Sequence, residues 1–498
     1  MGDMAEGVEQ PALQVIVLGA GGGPKEDNVT AFLVRSTAAG WRKNSLLAVD
    51  AGVHLAAISR ILEGHKSIRT EDSKPPAKPI TLVDGPFEGL QIPEGSSSSA
   101  NAAYITRDLV ECFLITHPHL DHISGFVINT ASLPSARPKR LAGLPSTIEA
   151  FKNHIFNNII WPNLTDENNG AGLVTYLRLV EGGSPALGDG YVEVSDGLSI
   201  KTWSVSHGHC IERHNHRGSN ASNFVASPGV ELASPRLRPT SQPMVRSNSQ
   251  SSHSANDNLK TDQYRPQYCV YDSSAYFIRD MVTGKEVLIF GDVEPDSISY
   301  SPRNRQVWND AALKIATGML GAIFIECSYD DARQKELLFG HLTPKYLVEE
   351  LRVLANEVKL TINMHKNGPA GKKRKLEGDG SGTFLLPYGR RKSTRHESPV
   401  SPTSRREHYD YGMDETSMGG ERRASATSQD SASSATPIFR VTAESPLQGV
   451  KVVVIHVKEK LDDGPDLGET ILGQLVGHEK GQLGCDFVIS YSGQSLYF

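Results

Sequence analysis

Three short apolar runs, separated by turn-forming residues, open the chain. LQVIVLG (13–19), TAFLV (30–34) and SLLAVDAG (45–52) are rich in β-branched and other apolar residues, and glycine, asparagine and aspartate lie between or close them. Runs of this length with such boundaries are typical of buried β-strands. The sequence therefore predicts a strand meander at the beginning of the fold.

Beyond the meander, strand-like runs alternate with helical ones. VHLAAISRIL (53–62) has the apolar spacing of a helix, ECFLIT (111–116) predicts a buried strand, and HISGFVIN (122–129) predicts a second helix. A later helix is predicted at 343–355, with Thr343 as N-cap and Pro344 at the first helical position. Further strands are predicted at 199–208, 269–278, 285–292, 321–328 and 451–458. This alternation predicts an α/β fold.

Two long polar segments interrupt the pattern. Residues 226–262 are rich in serine, proline and asparagine, and residues 366–440 combine KKRK, GRRKST and SPVSPTS with few apolar side chains. Neither segment can bury enough apolar surface to offset its conformational entropy. We therefore predict two disordered insertions in a single folded domain formed by residues 11–365 and 441–498. Shorter polar stretches at 70–80 and 94–101 are predicted to be loops.

The composition restricts the partners of the protein. A net charge of −6 over 498 residues gives no general attraction to nucleic acid or to an anionic membrane. No apolar run approaches the roughly 18 residues of a membrane span, and the five cysteines are widely spaced, as in proteins of reducing compartments. We expect a cytoplasmic protein without a nucleic-acid or membrane partner.

The strongest chemical signal is HPHLDH at residues 117–122. Imidazole nitrogens and carboxylate oxygens are ligands of zinc, and a catalytic zinc site leaves one position open. His117 and His119, two apart in extended chain, can share one ion, whereas Asp121 and His122 are displaced toward a second ion. Four ligands are too few for two ions, so other strand ends must contribute.

Three residues at or near later strand ends can complete the two sites. They are His207 in VSHGH, Asp292 in IFGDVEP and His456 in VVVIHVK. Each has an alternative interpretation, since His209 competes with His207, Asp292 could open a turn, and a histidine on an apolar strand is often a satisfied core residue.

The chain resembles a known family at these motifs. THPHLDHISGFVIN (116–129) is similar to the signature of the class II cyclic-nucleotide phosphodiesterases, a fungal-type group in the metallo-β-lactamase superfamily. The resemblance extends to VIVLGAGGGPKEDN, FGDVEPDS, IECSYDD, FGHL and IHVKE. It implies an αββα sandwich of two sheets with helices outside, and hydrolysis of 3′,5′-cyclic nucleotides, cAMP with cGMP as a second candidate, to 5′-monophosphates.

The resemblance also implies the ligands of two zinc ions, for which other divalent transition metals are alternatives. His117, His119 and His207 would hold one ion, Asp121, His122 and His456 the other, and Asp292 would bridge them. A hydroxide held between the ions would attack the phosphorus.

Two residues are predicted to act in catalysis, Asp121 and His341. His341 in FGHLTPKYL is the candidate proton donor to O3′, because it lies just before the helix start at Thr343, where backbone N–H groups favour a phosphate anion. The alternative is a surface histidine in a loop. Asp50 in AVDAG is predicted to hold a ligand loop by hydrogen bonds.

Other functions are compatible with parts of the sequence. A nuclease acting on RNA phosphodiesters could use the same seven ligands, but it would need a basic groove. A glyoxalase-type lactonase or thioesterase and a noncatalytic scaffold are weaker alternatives. VIVLGAGGGP superficially suggests a dinucleotide loop, but the last glycine of GxGxxG is missing and a strand follows.

The longer insertion carries regulatory candidates. Two sites of the type RRxS end at Ser393 and Ser425 and resemble substrates of the cAMP-dependent kinase, which suggests a protein kinase as a partner. KKRK (372–375) has the composition of a nuclear import signal and equally that of a solvated charge run, so nuclear localisation in addition to the cytoplasm is one of two interpretations.

Overall fold

The computed structural model describes residues 10–64, 79–132, 137–211, 268–366 and 438–498. These residues belong to one compact unit. The insertions predicted at 226–262 and 366–440 lie outside the described residues, apart from Lys366 and Ile438–Arg440, and so do Ser393, Ser425 and KKRK. The predicted domain bounds and the predicted disorder stay predictions.

Sixteen strands form within the described residues, and fourteen of them build two seven-stranded sheets. The strands are β1 Leu13–Gly19, β2 Ala31–Ser36, β3 Leu46–Ala51, β4 Pro79–Thr81, β5 Gln91–Pro93, β6 Val110–Leu114, β7 Lys139–Gly143, β8 Val174–Arg178, β9 Val192–Ser195, β10 Leu198–Ile211, β11 Tyr268–Asp280, β12 Glu286–Phe290, β13 Leu320–Glu326, β14 Lys451–Ile455, β15 Asp486–Ile489 and β16 Ser495–Tyr497. The first sheet has the order β16-β1-β2-β3-β6-β7-β8, and the second has the order β15-β14-β13-β12-β11-β10-β9. The predicted meander is confirmed, since β1, β2 and β3 pair antiparallel in sequence order.

Seven α-helices connect these strands in the described residues. They are α1 Leu55–Gly64, α2 Ser98–Tyr104, α3 Leu120–Thr130, α4 Pro145–Ala150, α5 Asn304–Ala316, α6 Pro344–Lys366 and α7 Leu467–Glu479. Short π-helical segments extend α2 and α4, and 3₁₀ turns lie at Pro185–Leu187 and Lys335–Leu337. None of the helices in the described ranges is both long and apolar enough to cross a membrane.

Three hydrophobic cores show how the layers pack. The central core joins inner faces of the two sheets, as where Phe32 of β2 meets Phe324 of β13 edge to face at 5.9 Å. A second core packs α1 to α4 on the outer face of the first sheet, and a third packs α5 to α7 on the outer face of the second. Burying each such large apolar side chain contributes roughly 1.5–3 kcal/mol. The predicted αββα sandwich is confirmed.

In both sheets, polar residues lie at the carboxyl ends of parallel strands. β3 and β6 are parallel in the first sheet, and β12, β13 and β14 are parallel in the second. Asp50 lies at the end of β3, Asp292 follows β12, Glu326 ends β13, and His456 follows β14. Carboxyl ends of parallel strands share one edge of their sheet, the usual location of a ligand site in an α/β fold.

One local prediction was wrong, and one predicted helix is longer than expected. The stretch 94–101 was predicted to be a loop, but α2 begins at Ser98, with the Ser97 hydroxyl accepting a hydrogen bond from Ala100 N at 3.2 Å. The serines therefore cap a helix that the following alanines favour. The helix predicted at 122–129 begins two residues earlier, at Leu120.

Candidate metal centre

The HPHLDH motif turns from extended chain into helix within six residues. His117 lies beyond the end of β6, His119 is the N-cap of α3 in extended conformation, and Asp121 and His122 lie in the first helical turn. The backbone therefore sends the first two histidines and the following Asp-His pair in different directions. This division matches the two predicted ligand pairs.

The first group unites His117, His119, His207 and Asp292. One ligand atom from each lies within 4.8 Å of the others. His117 Nε2 is 3.0 Å from His119 Nδ1, and His207 Nε2 is 3.4 Å from Asp292 Oδ2. The structure thus brings together the residues that were predicted for one ion.

The second group contains Asp121, His122, Asp292 and His456, again within 4.8 Å. His122 Nε2 lies 3.2 Å from Asp292 Oδ1, and His456 Nε2 lies 3.3 Å from Asp292 Oδ2 and 3.6 Å from Asp121 Oδ2. Asp292 belongs to both groups, as predicted for a bridging carboxylate. The arrangement forms a candidate divalent-metal centre, while the role of each residue as a ligand stays a prediction.

Hydrogen bonds on the outside of the cluster orient three of its rings. The Nδ1 atom lies 2.8 Å from Asp50 Oδ2 in His122, 3.0 Å from Gly340 O in His207, and 2.7 Å from Thr30 Oγ1 in His456. With Nδ1 as the donor, each ring in its neutral form keeps a lone pair on Nε2, the atom that faces Asp292. Partners of this kind fix the tautomer and ring angle of metal-binding histidines.

Asp50 supports the motif from beneath, which confirms the prediction that it holds a ligand loop. Its Oδ1 accepts from Thr116 N, and its Oδ2 accepts from Thr116 Oγ1, both at 2.8 Å. The Thr116 hydroxyl lies 3.1 Å from His117 Nδ1 and can accept a hydrogen bond from that ring. One buried carboxylate therefore positions a histidine of each group.

Burial makes most of the cluster histidines neutral. It lowers the pKa of His207 to about 3 and holds the pKa values of His117 and His456 well below the usual value. Burial would also lower the pKa of His122, but the carboxylates of Asp292 and Asp50 outweigh it and raise that pKa. Neutral imidazoles can bind metal without first losing a proton.

The charge of Asp292 is set by its surroundings. Burial alone would raise its pKa, but His456, His122 and His207 hold the pKa well below the usual range, so the carboxylate is ionised. Among the described residues, Asp292 Oδ1 and His122 Nε2 are buried polar atoms without a hydrogen-bond partner, although they face each other. Buried polar atoms normally have partners, and a cation would satisfy both.

His341 lies beside the cluster rather than at the surface. It is 5% exposed, so the surface-histidine alternative is wrong. Its Nδ1 lies 2.8 Å from Glu326 Oε1, and its ring stacks on His456 at 5.3 Å and contacts His207 at 4.8 Å. Among the described residues, His341 makes no contact with Asp121, and Glu326 is the carboxylate that orients its ring.

Glu326 and Ser328 were not predicted as site residues. The hydroxyl of Ser328 lies 2.5 Å from Glu326 Oε2 and 3.0 Å from the carbonyl oxygen of His456. Glu326, His207 and His341 form a third group of close ligand atoms, although the hydrogen bond between Glu326 and His341 explains its geometry. A glutamate at the end of the apolar strand GAIFIE was the available sequence signal.

The structure distinguishes two alternatives. His207 belongs to the first group, whereas His209 packs against the Tyr300 ring at 4.3 Å, because the register of β10 and β11 shifts between Ser206 and His209. His456 is buried, as a core histidine would be, but its Nε2 faces two carboxylates and its φ of +60° places it in the left-handed region. Backbone strain of this kind concentrates at functional sites.

Comparison with known sequences identifies a family. A profile described as cAMP phosphodiesterases class-II matches residues 91–366, which contain six of the seven predicted ligands, all except His456. A 3′,5′-cyclic-nucleotide phosphodiesterase of Schizosaccharomyces pombe is 29% identical over 357 residues, covering 72% of this chain and 79% of the relative. A second, from Candida albicans, is 26% identical over 379 residues, covering 70% and 83%.

A solved structure shows the same fold. Unliganded yeast PDE1 superposes with a TM-score of 0.58 at 19% identity, over 98% of this chain and 100% of that one. The αββα sandwich described above is thus the metallo-β-lactamase fold that the sequence predicts.

Proposed function

Since this chain belongs to the class-II cAMP phosphodiesterase family and is a 3′,5′-cyclic-nucleotide phosphodiesterase, we propose that it cleaves its substrate at two zinc ions held by the histidine and aspartate cluster. The observation that carries this proposal is the pair of four-residue groups sharing Asp292. His117, His119 and His207 would complete one site, and Asp121, His122 and His456 the other.

The chemistry of the donor set fits zinc. Five imidazoles and two carboxylates match the nitrogen and oxygen ligands of catalytic zinc sites. Asp292 Oδ1 and His122 Nε2, which are buried without a hydrogen-bond partner, are atoms that a bound cation would satisfy. Bound zinc would supply a water of lowered pKa and positive charge opposite the phosphoryl oxygens. Imidazole also suits other divalent transition metals, so metal analysis has to identify the ion.

His341 would donate the proton that the departing O3′ needs. Glu326 accepts the hydrogen bond from Nδ1 at 2.8 Å, which leaves Nε2 as the atom for proton transfer. Ser328 holds Glu326 in turn, since its hydroxyl lies 2.5 Å from Oε2. A positioned general acid contributes roughly 10²- to 10⁴-fold to the rate. Cleavage of the bond to O3′ yields a nucleoside 5′-monophosphate.

Asp121 would serve the attacking water. Its side chain is 29% exposed, whereas that of Asp292 is 3% exposed, so Asp121 lies toward the open side of the cluster. Its carboxylate, 3.6 Å from His456 Nε2, can accept a hydrogen bond from a water on the line of attack. In this way it would act in catalysis as well as in metal binding.

The proposal is tested with the purified full chain. Metal analysis should find close to two zinc ions, and cAMP and cGMP should be hydrolysed to 5′-monophosphates that chromatography separates from 3′-monophosphates. His207→Ala should lose metal and activity, and the matched control His209→Ala should retain both. Faster cleavage of a short RNA than of cAMP would identify the nuclease alternative instead, and full activity after removal of metal by a chelator would contradict the zinc proposal.

Regulation and location remain further proposals. Phosphorylation of Ser393 and Ser425 by a cAMP-dependent kinase would link this enzyme to the signal that it removes. We place the protein in the cytoplasm, with KKRK (372–375) directing a fraction to the nucleus. Mass spectrometry after kinase treatment and imaging of a KKRK-deleted variant test these two points.

A further inference from the structure

We propose that Lys458, whose ammonium group is held by the carbonyl oxygen of Gly22, forms an anion site that binds a phosphoryl oxygen beside the second group. The chemical class of ligand is a phosphate ester, either the cyclic diester or the monoester product. The inference deepens the proposed function and rests on it for the identity of the natural ligand. Its geometry comes from two motifs that the metal ligands leave unexplained, GAGGGP (19–24) and VKE (457–459).

The glycine-rich loop lies directly against His456. A Cβ atom at Gly22 would be 2.5 Å from Cδ2 and 2.6 Å from Nε2 of that ring, closer than side-chain atoms approach one another. Gly22 N also donates to Val457 O at 3.0 Å. Only glycine fits at this position, because the backbone of the loop touches the ring of a proposed ligand.

Lys458 reaches the same nitrogen of this ring. Its Nζ donates to Gly22 O at 2.9 Å and lies 3.5 Å from His456 Nε2. The carbonyl of Gly22 thus holds a half-buried ammonium group beside the nitrogen that faces Asp121 and Asp292.

Lys458 adds a positive charge beside a proposed cation site that the carboxylates of Asp121 and Asp292 already face. The Nε2 atom of His456 is the one proposed to hold a cation, and a second positive charge a few ångströms away repels it. A negatively charged oxygen between the two charges turns the repulsion into two attractions. Phosphate esters carry such oxygens, and the proposed reaction brings one to this point.

A different role for Lys458 makes different predictions. If the lysine only fastened the glycine loop to the segment after His456, its loss would lower stability and leave phosphate affinity unchanged. If it binds the phosphoryl oxygen, its loss lowers phosphate affinity and leaves the metal content unchanged.

The test measures binding rather than turnover. Calorimetry determines the Kd of inorganic phosphate for the zinc-loaded full chain and for Lys458→Met and Lys458→Arg. A charged hydrogen bond of this kind corresponds to a Kd increase of roughly 10- to 100-fold in Lys458→Met, and Lys458→Arg should recover most of the affinity. Lys460→Met is the matched control, since Lys460 pairs with Asp330 at 2.6 Å and is 53% exposed.

The outcomes separate this inference from the proposed function. Weaker phosphate binding in Lys458→Met, with unchanged metal content and a normal Lys460→Met, supports the anion site. Equal phosphate affinity in Lys458→Met and wild type overturns it, as does failure of the wild type to bind phosphate at all. If the wild type hydrolyses no cyclic nucleotide, the proposed function fails, and the phosphate comparison still decides the role of Lys458.

Discussion

Asp50 offers the sharpest test of how the cluster is positioned, because it touches the proposed ligands without belonging to either group. Asp50→Asn keeps the size of the side chain, and asparagine tolerates the left-handed backbone found there, with φ +52°. The amide oxygen can still accept from Thr116 N. The amide NH₂, however, replaces the oxygen that accepts from His122 Nδ1 at 2.8 Å.

The expected effect follows from that replacement. Facing an NH₂ group, His122 loses its acceptor at Nδ1 and moves its proton to Nε2, the atom directed at Asp292. A hydrogen bond to a charged group contributes about 1.5–3 kcal/mol, and loss of such a partner typically lowers metal affinity about 10- to 100-fold. We expect a loss of this size at the second site and a smaller loss at the first, which Asp50 reaches through Thr116.

The assay is a zinc titration against a competing chelator, which resolves the two sites as two steps. Asp280→Asn is the matched control, because Asp280 is also a fully buried aspartate that accepts from a threonine N–H and hydroxyl, those of Thr283, but it lies away from the cluster. Unchanged affinity at the second site in Asp50→Asn would refute the reasoning. An equal loss in Asp280→Asn would show that general destabilisation is the cause.

Three further predictions test other parts of the molecule. Asp292→Ala should lower the zinc content of both sites, whereas His119→Ala should mainly empty the first; full occupancy in Asp292→Ala, measured by metal analysis, would exclude it as the bridge. His341→Ala should keep its zinc and lose roughly 10²- to 10⁴-fold in rate on cAMP but little on a p-nitrophenyl phosphodiester, whose leaving group needs no proton; equal losses on both would contradict a general acid. Burial lowers the pKa of His54 to about 3, so between about pH 6.5 and pH 3 the side chain is protonated in the unfolded chain but neutral in the folded one, and the folded state loses stability as the pH falls. His54→Leu lacks this titration, so in denaturant unfolding its free energy of unfolding relative to wild type should rise by up to about 1.4 kcal/mol for each unit that the pH falls within that range. A difference that does not change with pH would refute this.

The sequence predicts the proposed metal ligands better than it predicts the residues that hydrogen-bond to the histidines of the site. HPHLDH carries its chemistry in residue type and spacing, and His207, Asp292 and His456 are recognisable because polar residues at or near the ends of apolar strands gather at one sheet edge. Thr30 and Glu326 contact site histidines only because the fold brings them close. Thr30, for example, is separated from His456 by 426 positions along the chain. No local pattern records such a pairing.

Local ambiguities were decided by features that single residues do not encode. His207 and His209 have equivalent chemistry, and only the register shift between β10 and β11 selects the first. At the HPHLDH motif, helix α3 starts at Leu120, directly after His119, whose extended backbone forms the N-cap without a side-chain hydrogen bond.

The order of the proposed ligands along the chain means that the two groups are completed at different times during synthesis. Every member of the first group has been translated once Asp292 is made, but the second group waits for His456, 164 residues later. At about 5–20 residues per second, the ribosome needs about 8 to 33 s to make that stretch. His456 also follows β14, which lies between β13 and β15 in its sheet. A nascent chain can therefore contain all the proposed ligands of a first ion well before it contains those proposed for a second.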